Sequence, residues 1–196
     1  MYSLTKFTRE QIQQFIASQR DRPFSYAEVG ASQAAPPAGY TVDHNRMQLG
    51  VGVEIFERAK TAVQRWEMFH FNWLQLCWPG APIEVGSTVA IMVRALGIWS
   101  LNACRIVYLI EEKGAIEKFG FAYGTLPEHA ERGEERFCVE WHHQNDTVWY
   151  DILAFSRPHQ LLAKVTYPYT RQLQKRFAVA SKQAMLKAVN LQNKKS

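Results

Sequence analysis

The sequence predicts an α+β fold in which a curved antiparallel β-sheet packs around a long C-terminal α-helix, with shorter helices near the N-terminus. Three observations support this prediction. Hydrophobic side chains recur at helical spacing within residues 8–18 and 53–69. Short β-rich runs separated by turn residues follow between residues 87 and 156, as in an antiparallel meander. The spacing is helical again over residues 157–190.

Size and composition indicate a single globular domain over residues 1–196, because 47% of the side chains are hydrophobic and 21% are charged. The longest uncharged stretch, residues 68–83, is interrupted by polar residues and prolines, which argues against a transmembrane helix. The N-terminus lacks the apolar run of a signal peptide, so we expect a cytoplasmic protein. Four segments are predicted within the domain: an N-terminal helix and loop (1–39), a strand, a helix and the antiparallel sheet (40–156), the C-terminal helix (157–190) and a basic tail (191–196).

The three cysteines are too few and too widely spaced for a disulfide framework or a zinc site. They lie in apolar or aromatic surroundings, which is typical of reduced thiols in a core. No metal and no cofactor are therefore predicted.

The N-terminal third begins with a capped amphipathic helix. Thr8 is followed three residues later by Gln11, which is the pattern of a capping box, and Ile12, Phe15 and Ile16 share one helical face. A loop over residues 30–39 precedes a candidate strand over residues 40–49. The Gly50-Val51-Gly52 turn then leads into the second helix.

The predicted sheet consists of short strands with alternating side chains. Phe137, Val139 and Trp141 alternate with polar neighbours, so one face of the sheet should be apolar and covered. The five strands predicted for this part of the sheet span residues 87–96, 103–112, 119–126, 134–141 and 147–156.

The C-terminal helix shows a long apolar stripe, and Pro168 is expected to kink or interrupt it. Small residues in this stripe leave room either for close packing against the sheet or for a cavity. The stripe comprises Leu162, Val165, Tyr169, Leu173, Phe177, Ala180, Ala184 and Ala188.

Motifs spread over most of the chain resemble an uncharacterised family, the domain of unknown function 1990, also called uncharacterised protein family 0548. The resemblance is carried by Phe24-x-Tyr26, His44-x-Arg46 with Gly50-x-Gly52 and Phe56, Trp66-x-x-Phe69 with Trp73, Phe119-Gly120-Phe121-Ala122-Tyr123-Gly124-Thr125-Leu126 with His129, Gly133-Glu134-Glu135-x-Phe137, Val148-Trp149-Tyr150-x-Ile152, Phe155-Ser156-Arg157-Pro158, Tyr167-Pro168-Tyr169, and Arg171 with Gln174 and Phe177. The resemblance brings no established catalytic residues with it.

The order of elements also resembles that of the helix-grip superfamily of lipid-transfer and pollen-allergen proteins. That likeness implies a sheet wrapped around the C-terminal helix, but a fold does not by itself determine a function. An apolar pocket with a few convergent polar groups is a reasonable expectation, since Tyr, Trp and Phe are frequent in the predicted strands.

Charge is divided unevenly along the chain. Nine basic and no acidic residues follow Asp151, whereas residues 1–151 contain 14 basic and 18 acidic residues. The basic C-terminal helix would suit an anionic membrane surface, or its lysines would form a solvated face paired with the acidic remainder. Nucleic acid is not an expected partner, because the aromatic stretch over residues 66–78 contains no Lys or Arg.

Asp151 is the most informative candidate catalytic residue because it interrupts a strongly apolar strand. It alternates on one face with Trp149, Leu153 and Phe155. If that face is concave, the carboxylate is buried and needs a partner such as Arg157, Arg105 or His44. If the face is convex, Asp151 pairs across the sheet surface with Arg105 or Arg136.

His129 and Glu134 are the other candidate catalytic residues. An imidazole near carboxylates can transfer protons, and Glu131, Glu134 and Glu135 follow His129 closely. Glu134 is the preferred glutamate if strand alternation directs it inward beside Arg136. The alternative is that these charged residues are solvated between two strands.

The leading functional hypothesis is the binding of a hydrophobic small molecule, lipid-like or aromatic, between the sheet and the C-terminal helix. One alternative is an enzyme with acid–base chemistry of the cyclase, isomerase or hydrolase type; the other is a peripheral protein that binds anionic surfaces. Whether a reaction is catalysed stays open, as does the oligomeric state. The candidate ligand-binding residues are His44, Arg46, Arg105, Tyr108, Tyr123, Trp149, Tyr150 and Arg157.

Overall fold

The computed structural model describes residues 1–78, 80–159 and 167–191. Two short 3-10 turns, Ala31–Gln33 and Glu67–Phe69, lie between the regular elements. In chain order these elements are β1 (Tyr2–Ser3), α1 (Arg9–Gln19), β2 (Thr41–Val51), α2 (Val53–Gln64), β3 (Leu74–Cys77), β4 (Thr88–Ala95), β5 (Ile98–Glu112), β6 (Ile116–Thr125), β7 (Glu131–His142), β8 (Thr147–Pro158) and α3 (Tyr167–Leu191).

The strands form one curled antiparallel sheet in the order β2-β8-β7-β6-β5-β4-β3, and β1 pairs with β5. Helices α2 and α3 pack on its concave inner face. This is the predicted α+β helix-grip arrangement, with the sheet wrapped around the C-terminal helix. The long hairpins from β4 to β8 come from consecutive strands, so turn residues and side-chain alternation largely specify this part of the topology.

Strand β6 illustrates how the sequence separates the two faces of the sheet. Phe119, Phe121 and Tyr123 pack into the inner core, and the residues between them are glycine or alanine. Gly124 faces outward against Tyr26, where a Cβ atom would come within 2.2 Å of the tyrosine oxygen. The small residues therefore let an N-terminal segment lie directly on the outer face.

The outer face is covered by α1 and by a segment that we call the N-terminal strap (residues 24–34). Helix α1 has the predicted capping box of Thr8 and Gln11. Phe15 and Ile16 of α1 form a second apolar cluster with side chains such as Leu101 on β5. The sheet is thus buried on both faces where α1 and the strap lie.

Helix boundaries differ from the predicted ones at two places. The helix predicted over residues 53–69 ends at Gln64, since Trp66 adopts a left-handed backbone conformation (φ 58°) that an α-helix cannot continue. The prediction of a helix from residue 157 is wrong, because Arg157 and Pro158 are the last residues of β8. Helix α3 is described over Tyr167–Leu191, and Pro168 is the second residue of this range.

The predicted stripe of the C-terminal helix is only partly correct. Leu162 and Val165 lie outside the described residues, as do residues 192–196 of the predicted basic tail. The fully buried positions on α3 are Ala178, Ser181, Met185 and Val189 rather than Ala180, Ala184 and Ala188, which are only partly buried. The helix is therefore rotated relative to the expected face.

Within the part of the chain that is described, no helix is both long enough and apolar enough to span a bilayer. Cys77, Cys104 and Cys138 are free and buried, in agreement with their prediction as core thiols.

Candidate functional site

A cavity of about 290 Å³ lies between the inner face of the sheet and the N-terminal half of α3. The C-terminal half of the helix is packed solidly, because Met185 and Val189 are fully buried and the Ser181 hydroxyl lies 2.9 Å from that of Tyr150. The cavity is therefore confined to the space between the sheet and the N-terminal half of α3. Its apolar wall includes Phe69, Trp73, Ile91, Val93, Leu173 and Phe177.

The polar wall of the cavity centres on Glu135 of β7. The Tyr123 hydroxyl on β6 donates a hydrogen bond to Glu135 Oε2 at 2.7 Å, and Tyr123 and Glu135 are directly opposite in the strand register. Burial raises the pKa of Glu135 to about 7, although the hydrogen bond from Tyr123 opposes this shift. Burial also raises the pKa of Tyr123 well above its ordinary value, so the tyrosine acts as a donor at neutral pH.

Glu131 lies on the same face of β7 as Glu135 and is 7% exposed. Its Oε2 atom accepts a hydrogen bond of 3.0 Å from Gln174 Nε2 on α3, and its buried Oε1 atom has no hydrogen-bond partner in the described part of the chain. Burial raises the pKa of Glu131 as well. Both inner carboxyls of β7 are thus placed where ionisation is unfavourable.

A salt bridge between the sheet and α3 borders this polar wall. Arg171 of α3 donates to both oxygens of Asp43 on β2, at 2.5 and 2.7 Å, and also to Gln174 Oε1. Gln174 Nε2 in turn donates to Ser156 at 3.0 Å. These contacts fix the N-terminal half of α3 above the cavity without filling it.

His129 lines the cavity as a neutral side chain. Its Nδ1 atom accepts a hydrogen bond of 3.0 Å from the backbone N–H of Glu131. Burial lowers the pKa of His129 to about 4, so it carries no positive charge at neutral pH.

The two carboxylates proposed from the sequence as catalytic, Glu134 and Asp151, are bonded on the outer face of β7 and β8. Glu134 accepts hydrogen bonds from Tyr26 Oη (2.6 Å), Gly30 N (2.7 Å) and Ser32 N (2.9 Å), and also from the Ser32 hydroxyl. Every one of these donors belongs to the strap. Glu134 borders the cavity, but its carboxylate ties the strap to the sheet.

Asp151 is buried on the outer face and is surrounded by cationic or hydrogen-bonding side chains. Arg136 Nη2 donates to Oδ1 at 2.9 Å, Arg46 Nε lies 3.2 Å from Oδ2, and His44 Nε2 lies 2.6 Å from Oδ2. Of the partners proposed for Asp151 from the sequence, Arg136 and His44 contact its carboxylate, whereas Arg105 and Arg157 do not.

Of the predicted ligand-binding residues, Tyr123 lines the cavity and the others lie elsewhere. The Tyr108 hydroxyl contacts Ser32 of the strap at 2.6 Å, and the Tyr150 hydroxyl is engaged by Ser181 of α3. The remaining predicted residues lie away from the cavity: His44 and Arg46 beside Asp151, Trp149 under the Arg46 guanidinium, Arg105 on the Gln19 and Arg20 carbonyls, and Arg157 over the Tyr40 ring.

Sequence reasoning missed Glu135 and Glu131 as the inward carboxyls of β7. The signal was present, since both residues have the same strand parity as Phe137, Val139 and Trp141, which form the predicted apolar face. Asp43 and Gln174 come from distant segments, and nothing in the local sequence links them to β7.

The structure also bears on the metal and surface hypotheses. No group of three or more His, Cys, Asp or Glu side chains within residues 1–78, 80–159 and 167–191 is placed to hold a metal ion. Lys175, Arg176 and Lys187 are exposed on α3, and the Arg176 guanidinium lies over the Trp73 ring. Their use against an anionic surface stays a prediction.

Comparisons with known sequences point to one family. The profile of the domain of unknown function DUF1990 matches residues 25–184. A UPF0548 protein of Dictyostelium discoideum is 37% identical, with 96% of each chain covered. A UPF0548 protein of Deinococcus radiodurans is 34% identical, covering 91% of this chain and 93% of the relative. The names of these relatives state no function.

Comparisons with solved structures give weaker likenesses. Ara h 8.0201 is 10% identical with a TM-score of 0.46, covering 76% of this chain and 99% of that chain. Human STARD10 is 10% identical with a TM-score of 0.47, covering 97% of this chain and 84% of that chain. Similarity at this level does not transfer a ligand or a reaction.

Proposed function

The chain belongs to the DUF1990 family, and we propose that it binds a hydrophobic small molecule in the cavity between its sheet and α3. The observation that carries the proposal is the cavity itself, which is apolar over most of its wall and has a cluster of polar groups at Glu135 and Glu131. This combination is typical of ligand pockets.

The size and position of the cavity agree with this function. About 290 Å³ is near the lower end of the roughly 300–1,000 Å³ of ligand pockets, so the ligand is a small one. Tyr2 and Leu96 line the cavity and are 39% and 70% exposed. A ligand therefore enters near the β4–β5 turn, and neither the sheet nor α3 has to unfold.

The direct test is to fill the cavity and measure the binding of N-phenyl-1-naphthylamine, an apolar fluorescent probe. Ala178 is buried on α3 and lines the cavity, so Ala178→Phe should weaken probe binding by at least about tenfold. Ala154→Phe fills the cavity from the opposite wall on β8 and should act in the same way. Val179→Phe is the matched control, since Val179 is the next residue of the helix and is 52% exposed.

Two results would overturn binding in this cavity. One is the absence of probe binding to the wild type. The other is probe affinity that is the same in folded Ala154→Phe or Ala178→Phe protein as in the Val179→Phe control.

A second candidate function is acid–base catalysis in the same cavity, favoured by the contact between Tyr123 and Glu135. A carboxyl with a pKa of about 7 exchanges protons readily near neutral pH. In this version of the enzyme hypothesis the acid or base is Glu135, because the Glu134 and Asp151 carboxylates are engaged on the outer face.

Native mass spectrometry of wild type and Glu135→Gln, purified from the same cells, separates the two functions. Binding alone predicts that any co-purifying mass found on the variant is also found on the wild type, and that it is lost on denaturation. Catalysis predicts that the variant retains a substrate mass that the wild type has converted. The same mass in both proteins would eliminate Glu135 as a catalytic residue.

A further inference from the structure

We propose that the ligand of this cavity carries a protonated amine, whose ammonium group lies against Glu135 and the neighbouring aromatic rings. The inference rests on the proposed binding function and names the chemical class of the ligand. It is argued from the charges on the cavity wall, from the hydrogen bonds that its carboxyls lack, and from the rings that surround them.

The charged groups on the cavity wall are acidic. Asp43, Glu131, Glu134 and Glu135 line the cavity, whereas no Lys or Arg side chain of the described residues does so. Asp43 already has a bidentate partner in Arg171, and Glu134 is bound by the strap. Glu131 and Glu135 form no ion pair among the described residues, and His129 is neutral. Burial raises the pKa of Glu131, although Arg171 acts on it at longer range and opposes this shift.

The two glutamates also accept fewer hydrogen bonds than carboxylates normally do in a protein interior. Among the described residues Glu135 accepts one bond, from Tyr123 on Oε2. Glu131 receives hydrogen bonds from Gln174 and Ser156, but its buried Oε1 atom has no partner among these residues. Gly133 lies between them on the strand, lines the cavity and has no side chain to supply a donor. A ligand with several N–H donors would supply the missing bonds.

Aromatic rings beside Glu135 favour a cation over a neutral donor. Tyr123, Phe69 and Phe177 all line the cavity. The centroids of Phe69 and Tyr123 lie 6.2 Å apart, and those of Phe69 and Phe177 lie 5.5 Å apart. Aromatic faces attract an ammonium group, and a carboxylate beside them supplies the counter-charge. The apolar wall then receives the hydrocarbon part of the same molecule.

Proton exchange follows from this arrangement. Without a ligand, burial keeps Glu135 largely protonated below about pH 7. A bound ammonium favours the ionised carboxylate, so binding below that pH releases a proton from Glu135. The titratable groups that face Glu135 are Tyr123 on β6, Asp43 on β2, Cys104 on β5 and Tyr150 on β8, and α3 brings Arg171, which is paired with Asp43. Burial raises the pKa values of Tyr123, Cys104 and Tyr150, so these groups stay protonated near neutral pH.

The test compares octylamine, octanol and octanoate as competitors of N-phenyl-1-naphthylamine on the full chain. At about pH 8, octylamine should bind at least about tenfold more tightly than octanol, and octanoate should bind most weakly. The octylamine affinity should rise between about pH 6 and pH 8, whereas the octanol affinity should not. Calorimetry in two buffers of different ionisation enthalpy should show release of close to one proton per octylamine at about pH 6.

Variants locate the amine site. Glu135→Gln should remove the advantage of octylamine over octanol and the proton release. Glu140→Gln is the matched control, because it makes the same change on the outer face of β7, where Glu140 pairs with Arg46. Tyr123→Phe provides a second inner-face variant if Glu135→Gln does not fold, and it should weaken the octylamine preference.

The outcomes separate this inference from the proposed function. If the probe and octanol bind but octylamine binds no better at any pH, the amine assignment is wrong and the binding function stands. If octanoate binds most tightly, the cavity is built for an anion and the assignment is equally wrong. If neither the probe nor any competitor binds, the binding function itself fails.

Discussion

Glu134 and Glu135 are adjacent in the sequence, but they lie on opposite faces of β7 in different chemical environments. Glu134 accepts four hydrogen bonds, all from the N-terminal strap. Among the described residues Glu135 accepts one, in a cavity where burial raises its pKa to about 7. The comparison shows that the outer carboxylate is bonded to the strap, whereas the inner one keeps most of its hydrogen-bonding capacity unused by these residues.

The largest expected effect comes from breaking the outer contact. Glu134→Gln should lower the free energy of unfolding by about 3–5 kcal/mol, because the NH2 group of the amide cannot accept the bonds that strap donors make to one of the two carboxylate oxygens. Urea unfolding near neutral pH measures this loss. A loss no larger than that of Glu140→Gln would mean that the strap is held by its apolar contacts instead.

The inner carboxyl should respond in the opposite direction. The pKa of Glu135 is about 7 in the folded protein against an ordinary value of 4.5, so folding favours its protonated form. Its contribution to stability is therefore complete below pH 4.5 and is lost as the pH rises towards 7. Glu135→Gln should stabilise the protein by up to about 3 kcal/mol near pH 8.

The same substitution should have little effect near pH 4.5, because there the wild-type carboxyl is protonated in the folded state and half protonated in the unfolded state. Unfolding curves of wild type and Glu135→Gln at both pH values measure the difference. If the variant and the wild type differ in stability by the same amount at both pH values, Glu135 is well solvated in the cavity.

The smallest expected effect comes from removing one tyrosine hydroxyl on each face of the sheet. The Tyr123 hydroxyl lowers the pKa of Glu135, so Tyr123→Phe should raise that pKa further, by roughly one unit or less. Carbon-detected NMR titration of the glutamate carboxyls measures the shift. Tyr108→Phe is the control, because Tyr108 contacts Ser32 of the strap. An unchanged Glu135 titration in Tyr123→Phe would argue against the bond.

Much of the fold was predictable because its signals are local. The Thr8 and Gln11 capping box, the helical spacing after Gly52 and the alternation along the strands each depend on neighbouring residues. The start of α3 was less predictable, since apolar residues at helical spacing before Tyr167 extended the expected helix into the end of β8. Short strands such as β3 have too few residues to show a period.

The candidate site was predictable only in part. Tyr123 and His129 were identified and do line the cavity. Glu134 was preferred on the condition that alternation directs it inward, but the parity of Phe137 and Val139 along β7 leads to Glu135, while the Glu134 carboxylate is bonded to the strap. On β8 alternation alone could not decide, because residues of both parities are apolar and both faces of the strand are covered.

The order of residues is enough to identify the helix-grip class and the family, because propensity, capping, alternation and motifs are properties of neighbouring residues. Which carboxyls are short of partners depends on the folded arrangement. Hydrogen bonds of Glu134 and Asp43 join segments about a hundred or more residues apart, from the strap to β7 and from β2 to α3. Burial and hydrogen bonding set the state of a carboxyl, and both depend on which distant segments meet around it.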